Sequence, residues 1–358
     1  MKVTSQPCSR CETLPGHFYT HGRLYLWPPL GHSMAKVTAF LHRAGYRFEQ
    51  VAAHGYLAVD IPEDGFDGCC RGIHEAIGSK EGQDTLALYL DGDQVPDLND
   101  IRAVISLDVL IARQKEEWLI DVLREKRLTN HFQPIFYAND TRKPFAHECL
   151  LRGLTGEGQI IPPGKLFHAA TTTDLLFQLD RAARAMAVQN AAACGLDSKI
   201  FINFTPTSIY DPQYCLQSTV RIIKESGLLR DRIVFEVIET EKLDDPEHLA
   251  NILKFYRHAG FQVALDDLGS GYSALNLLPI LKPDYIKIDR ELISGIHKDR
   301  FKIVIVEKLV DICKDLGILV VAEGIEVQEE LTVLQKLGVD FIQGFLLARP
   351  AAKGWTES

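Results

Sequence analysis

No stretch of the 358-residue chain approaches the roughly 18 consecutive apolar residues that a membrane-spanning helix requires, so no span is expected. Met1 to Cys11 is polar and lacks the apolar core of a secretory signal, and the chain is expected to be cytoplasmic. No lysine- or arginine-rich tract is present. With 48 acidic against 39 basic residues the net charge is -9, which argues against general affinity for duplex nucleic acid. A disulfide framework is not expected either: of the eight cysteines four lie early and four are scattered, and in a cytosolic chain they are expected to be reduced. Cys8-Ser9-Arg10-Cys11 has the spacing of half a zinc site, but no second CxxC accompanies it, and Cys69-Cys70 or nearby histidines would have to complete it. Structural zinc, a redox-active thiol pair and unligated cysteines all stay open for these four residues.

What is present is an ordinary globular composition, 46% hydrophobic and 24% charged, at a length that predicts about two domains. In the first region, Arg23 to Trp27 reads as a strand and Ser33 to Ala44 as a helix. Tyr46 to Ala52 and Tyr56 to Ile61 read as a hairpin, Gly68 to Ile77 as a second helix and Thr85 to Leu90 as a further strand. The order βαββαβ predicts a small ferredoxin-like α+β domain over residues 1–95, of a size that suits a sensory or regulatory module. Apolar residues at helical spacing from Ile101 to Leu123 then predict one long linking helix over 96–128, with Asp97 or Asn99 as its cap. Such a helix links domains, meets a partner subunit or packs on its own domain.

From 129 to 358, short apolar segments ending in a polar residue alternate with amphipathic stretches. Eight such segments occur: 132–136, 145–152, 200–204, 233–237, 261–265, 285–289, 319–323 and 341–344. Eight strands over about 230 residues predict a (β/α)8 barrel, an α/β fold whose active site lies where the strands' C-terminal ends converge. Those ends offer Glu148, Asn203, Glu236, Asp266, Asp267, Lys287, Glu323 and Gln343. Five carboxylates in one concavity repel one another unless cations lie among them. All-oxygen donors select hard ions such as Mg²⁺ or Mn²⁺ over zinc. Two such ions can activate water and clamp both oxygens of an in-line phosphoryl displacement.

The motifs resemble those of the EAL-domain cyclic-di-GMP phosphodiesterases, over about residues 129–351. Glu148-Cys149-Leu150-Leu151-Arg152 is similar to the signature E-A-L-x-R, with cysteine in place of alanine. Asp266-Asp267-Leu268-Gly269-Ser270-Gly271-Tyr272-Ser273 resembles the loop D-D-F-G-T-G-Y-S, and Tyr285 to Asp289, Ala322 to Glu326 and Gln343-Gly344 resemble the later motifs. The resemblance implies hydrolysis of cyclic di-GMP to linear pGpG with two Mg²⁺ or Mn²⁺ ions per site. It makes Glu148, Asn203, Glu236 and Asp266 ligands of a first metal, and Asp266, Asp267 and Glu323 ligands of a second. Lys287 would position the attacking water, with Glu148, Asp267 and Glu323 also counted in the catalytic set. Gln133, Leu151, Arg152, Asp289 and Gln343 fall at or beside substrate-contacting positions, Gln343 also supporting the water and metal network, and Glu239 matches an anchor of the Asp-Asp loop. A homodimer is also implied. A receptor that binds cyclic di-GMP without turnover is the main alternative, and a barrel serving only as a protein scaffold is a third reading.

Overall fold

The computed structural model describes residues 12–16, 21–51, 55–92, 94–238, 246–268 and 274–355. Two compact units divide the chain: Met1–Glu125 with Gly164–Gln178, and Lys126–Pro163 with Leu179–Ser358.

In the first unit the expected βαββαβ order is present: β1 (Gly22–Trp27), α1 (Gly31–Ala44), β2 (Phe48–Val51), β3 (Tyr56–Ile61), α2 (Phe66–Ile77), a short α3 (Ser79–Asp84) and β4 (Leu86–Asp91). A two-residue strand, β5 (Ile105–Ser106), extends the sheet to the order β2-β3-β1-β4-β5, every pair antiparallel. Alternate strand residues Leu24, Leu26, Leu57, Val59 and Ile61 are buried with Val37 and Leu41 of α1 and Cys69, Cys70 and Ile73 of α2. These residues share one face, as period-2 strands and period-3.6 helices require, while Tyr25, Ala58, Leu88 and Leu90 form a second buried cluster on the opposite face of the sheet.

The single linking helix expected over 96–128 is not formed. Asp100–Ala103 makes a 3-10 turn, Ile105 and Ser106 pair with Ala87 and Leu86, and two helices follow, α4 (Leu107–Lys115) and α5 (Glu117–Arg124). The physical reasons are local. Val104 is extended, the Ser106 hydroxyl accepts from the Val109 N–H as an N-cap, and Glu116 at φ -103°, ψ 26° interrupts the helical path. Leu107 and Leu110, which read as part of the linking stripe, belong to the first unit's own core.

The second unit holds the expected barrel. Its strands are β6 (Leu128–Tyr137), β7 (Asp140–Leu154) with a short β8 (Ile160–Ile161) at its edge, β9 (Lys199–Asn203), β10 (Ile233–Ile238), β11 (Gln262–Leu268), β12 (Tyr285–Ile288), β13 (Leu319–Ala322) and β14 (Phe341–Ile342). The order β6-β14-β13-β12-β11-β10-β9-β7 closes on itself through β6–β7, giving eight barrel strands. All are parallel except β6, which runs antiparallel to both neighbours. A tight Ala138-Asn139 connection, too short for a crossover, forces that reversal. The helices after β8 are α6 (Pro163–Thr172), which falls almost wholly in the first unit, and then α7 (Leu176–Ala193), α8 (Pro212–Cys215), α9 (Gln217–Ser226), α10 (Pro246–His258), α11 (Ala274–Leu281), α12 (Arg290–Ile293), α13 (Arg300–Leu316) and α14 (Gln328–Leu337). No helix among the described residues is long and apolar enough to cross a membrane.

Inside the barrel, one layer is apolar: Ile135, Ala146, Phe201, Val234, Ala264, Tyr285, Val321 and Phe341, one residue from each strand. Strand side chains repeat every two residues, so the next inward positions form a second layer nearer the mouth. Those positions are Gln133, Glu148, Asn203, Glu236, Asp266, Lys287, Glu323 and Gln343; for β6 the count runs backward because the strand does.

Candidate active site at the barrel mouth

Lys287 stands at the centre of this second layer. Its Nζ lies 2.6 Å from Glu323, 2.8 Å from Glu236, and 3.3 Å from both Glu148 and Asp266, with the lysine 1% exposed. Glu148 is further held by two amides: Asn203 Nδ2 donates to its Oε1 at 3.1 Å and Gln343 Nε2 to its Oε2 at 2.8 Å. Asp267 joins the cluster through a backbone irregularity. Leu265 pairs with Ile286 and Leu268 with Ile288, so Asp266 and Asp267 together oppose Lys287. Strict alternation would send neighbouring carboxylates to opposite faces of the strand. This bulge re-aims one of them, with Asp267 at φ 58° in the left-handed region that a non-glycine residue rarely adopts. The strain is local and sits beside the cluster.

Four carboxylates surround one ammonium and Asp267 adds a fifth to the cluster, a formal charge of four negative when all are ionised. Burial first, and then repulsion among neighbours, raises Glu236, Asp266 and Glu323 above the usual carboxylate range despite Lys287. Asp267 is pushed up to about 6 by burial together with Asp266 and Asp289. For Glu148 burial acts in the same direction, but Lys287 and the two amides outweigh it and hold its carboxyl below the usual value. Burial opposes the charge of Lys287, yet its carboxylate partners raise it well above an ordinary lysine.

The donor set fits hard divalent cations. Glu148, Glu236 and Asp266 bring ligand oxygens within 4.8 Å of one another, as do Asp266, Asp267 and Glu323, so Asp266 belongs to both groups. Both oxygens of Glu236 are buried without a hydrogen bond of acceptable angle, although one of them lies 2.8 Å from Lys287. A carboxylate buried in this way is costly unless a cation meets it. Two divalent ions would cancel the formal charge of the cluster.

A cavity of about 300 Å³ opens on these groups, lined by Gln133, Glu148, Leu150, Asp266, Asp267, Arg290, Glu323, Gln343 and Phe345 among others. Its floor depends on a close approach: a Cβ on Gly344 would sit 2.1 Å from the Ile325 carbonyl oxygen, so only glycine fits. Of the expected substrate contacts, Gln133 and Gln343 line this cavity, and Leu150 does so in place of Leu151. Alternation along β7 explains the exchange, because Leu150 shares a face with Glu148 while Leu151 is buried on the other. Asp289 caps α12, accepting from the Glu291 N–H at 2.7 Å, and Arg152 donates to the Leu151 carbonyl at 2.7 Å. Arg290 and Phe345 were missed in the sequence. Arg290 follows the Lys-Ile-Asp segment directly and pairs with Glu326 at 2.9 Å, while Phe345 follows Gln343-Gly344 and lies 45% exposed beneath Arg349.

Glu239, the loop residues Gly269 to Ser273, Cys8 and Cys11 lie outside the described residues. Cys69 and Cys70 are free, buried thiols, Cys69 pushed up to about 12 by burial, which suits inert core residues rather than redox chemistry or zinc ligation. Among the described residues, the groups of acids, histidines or cysteines able to hold a metal are the two acidic sets at the barrel mouth.

The family model described as the EAL domain matches residues 116–350. The chain is 34% identical over 214 residues to "Probable cyclic di-GMP phosphodiesterase PdeG" of Escherichia coli, an alignment covering 57% of this chain and 41% of that protein. It is 31% identical over 180 residues to "Blue light- and temperature-regulated antirepressor BluF" of Escherichia coli, covering 50% and 45% respectively. The chain thus spans less than half the length of these curated relatives. Among solved structures, a standalone EAL protein from Vibrio cholerae O395 in its c-di-GMP-bound form superposes with a TM-score of 0.59 at 34% identity, covering 64% of this chain and 95% of that one. With the barrel, the acidic layer at its mouth and a family match over most of its length, this chain belongs to the EAL domain family.

Proposed function

We propose that the barrel hydrolyses cyclic di-GMP to linear pGpG. The observation that carries this reading is the inward set of Glu148, Asn203, Glu236, Asp266, Lys287 and Glu323, whose excess negative charge, with Glu236 Oε2 buried without a hydrogen bond, suits two divalent cations. Mg²⁺ or Mn²⁺ bound there would act as a Lewis acid on a phosphodiester and make water a nucleophile at neutral pH. The protein's own groups do the rest. Asp266, shared by both acidic sets, fixes their spacing, and Asp267 completes the second set through the bulge. Lys287 keeps its proton and presents a buried positive charge where negative charge develops on the phosphoryl oxygens. Gln343 and Asn203 lock the rotamer of Glu148 by donating to its two carboxylate oxygens.

The reading extends to residues 1–95 as a regulatory domain and to a homodimer. Support for the latter is the apolar stripe that α13 exposes, with Phe301 83%, Ile305 46% and Leu316 59% exposed. A receptor that binds cyclic di-GMP without turnover is the second reading, favoured by the relative named as an antirepressor. The test is product formation from cyclic di-GMP with Mg²⁺ or Mn²⁺ against an EDTA control, beside Asp267→Asn and a nucleotide-binding assay. Metal-dependent pGpG from the wild type alone supports the enzyme. Tight binding with wild-type turnover no higher than that of the variant supports the receptor.

A further inference from the structure

Behind the mouth lies a second buried polar group that the chemistry above does not use. Asp180 and Arg184, one turn apart on α7, form an ion pair in which both side chains are 3% exposed. A buried ion pair gives little net stability over an apolar pair of the same shape, so its presence asks for another reason. Its contacts supply one. Asp180 Oδ1 accepts from the backbone N–H of Thr205 at 2.8 Å, and its Oδ2 accepts from the Ser208 hydroxyl at 2.7 Å. Ser208 Oγ also lies 2.7 Å from the Thr205 carbonyl oxygen, and Arg184 Nε donates to Thr219 Oγ1 at 3.3 Å. Every member of this network is buried.

The segment so gripped, Thr205 to Ser208, begins two residues after Asn203. Between them, the Phe204 N–H donates to the Glu236 carbonyl at 3.1 Å. The chain leaving β9 is therefore fixed at two successive points, one on the strand that carries Glu236 and one on α7. Among the described residues the Asn203 side chain has one hydrogen-bond partner in the mouth, Glu148 at 3.1 Å, and Asn203 stands at the last residue of its strand. Among the described residues, the side-chain bonds that tie this turn to another element are the two accepted by Asp180.

We infer that Asp180, with Arg184 and Ser208, is a positioning group for the metal site: it sets the register of the Asn203 amide through the Thr205–Ser208 turn. The inference rests on the reading of Asn203 as a metal ligand. Groups behind a ligand tune metal affinity by about 10–100-fold when removed. A merely structural role would lower the thermal midpoint without selecting for metal.

The experiment is calorimetric titration of the full chain with Mn²⁺ alone, beside the thermal midpoint in EDTA, for wild type, Asn203→Ala, Asp180→Asn, Ser208→Ala and the Asp180→Asn/Asn203→Ala pair. The expected result is a loss of about 10–100-fold in Mn²⁺ affinity for Asp180→Asn and for Asn203→Ala. The double variant should be no weaker than Asn203→Ala alone, because the two act through one ligand. Ser208→Ala leaves the ion pair whole and is expected to lose affinity in the same direction by a smaller factor, so it carries the test if Asp180→Asn does not fold. Mn²⁺ affinity within about twofold of wild type in the folded Asp180 or Ser208 variant, with Asn203→Ala weakened, overturns the positioning role alone. A wild type that binds no Mn²⁺ overturns the functional reading and this inference together.

Discussion

Two layers inside the same barrel, separated by one strand repeat, have opposite chemistry. Phe201, Tyr285, Val321, Phe341 and their neighbours fill the inner layer with close-packed apolar side chains, all at or below 4% exposure. At the next inward position of each strand lies a polar layer in which the carboxylates of Glu148, Glu236, Asp266 and Glu323 repel one another around Lys287, with oxygens of Glu236, Glu323 and Gln343 left without a hydrogen bond. The strands cannot tell these layers apart, since backbone, direction and inward orientation are the same. The apolar layer holds the barrel closed and lets the mouth layer depart from what stability alone would choose.

The most severe break in this comparison is Lys287→Met. It removes the ammonium that lies within 3.3 Å of Glu148, Glu236, Asp266 and Glu323. Hydrolysis is expected to fall by about 10²–10³-fold. Metal-free stability should fall by about 3–5 kcal/mol, as when one partner of a buried pair is deleted. Added Mn²⁺ should restore part of that stability and none of the activity. Denaturant melts with and without Mn²⁺ check both halves.

Phe341→Ala should do the reverse. A cavity in the apolar layer costs about 3–5 kcal/mol, while turnover per folded molecule stays within a few-fold of wild type. If the variant keeps its stability but loses turnover, the two layers are not separable as described. Glu236→Gln sharpens the contrast from the other side. It should abolish metal-dependent turnover yet raise the thermal midpoint in EDTA by roughly 2–4 °C, the shift that about 1 kcal/mol produces in a domain of this size. An unchanged or lower midpoint would mean that the buried Glu236 carboxylate is not a cost to the fold.

Much of this contrast could be read from the sequence because it depends on short-range rules. The polar residues that close the apolar segments were legible as a converging set, and inward positions that repeat every two residues put them in one layer. The apolar stripe across Ile101 to Leu123 predicts one helix capped by Asp97 or Asn99, where the chain makes a turn, a strand and two helices, the first of them capped by Ser106. The bulge that turns Asp267 toward the mouth needs the pairing with β12 and no local pattern announces it. The reversal of β6 had a signal in the two-residue Ala138-Asn139 connection. Asp180 had none: an acid four residues before an arginine on a helix reads as an ordinary surface pair until burial shows otherwise.

Farther from the mouth the expected effects shrink. His147 precedes Glu148 on β7 but faces outward, where it lies 2.7 Å from Ser198 Oγ and accepts from the Trp355 N–H. Burial pushes its pKa down to about 4, against a raising influence from Asp197. The unfolded chain, with a value near 6.5, takes up the proton first. Stability present above about pH 6.5 is therefore lost as pH falls toward 4, by up to about 3 kcal/mol. His147→Gln should flatten that slope in urea melts taken across the interval, and an unchanged slope would move the cause elsewhere. The smallest effect expected is at Cys149, which stands where the family signature has alanine and whose buried thiol is raised well above its ordinary value. Cys149→Ala should change stability by less than about 1.5 kcal/mol and turnover by less than threefold. The native protein should also resist thiol reagents at this position, as labelling followed by peptide mapping would register.

The central claim is that the layer above the apolar plug is built around two divalent cations. The measurement that meets it most directly is the stoichiometry of Mn²⁺ binding by titration calorimetry, in wild type, in Asp266→Asn and in Phe341→Leu. The account predicts two ions per chain in wild type and in Phe341→Leu, and loss of at least one in Asp266→Asn, whose carboxylate belongs to both acidic sets. No binding in wild type, or two ions retained in Asp266→Asn, would contradict it.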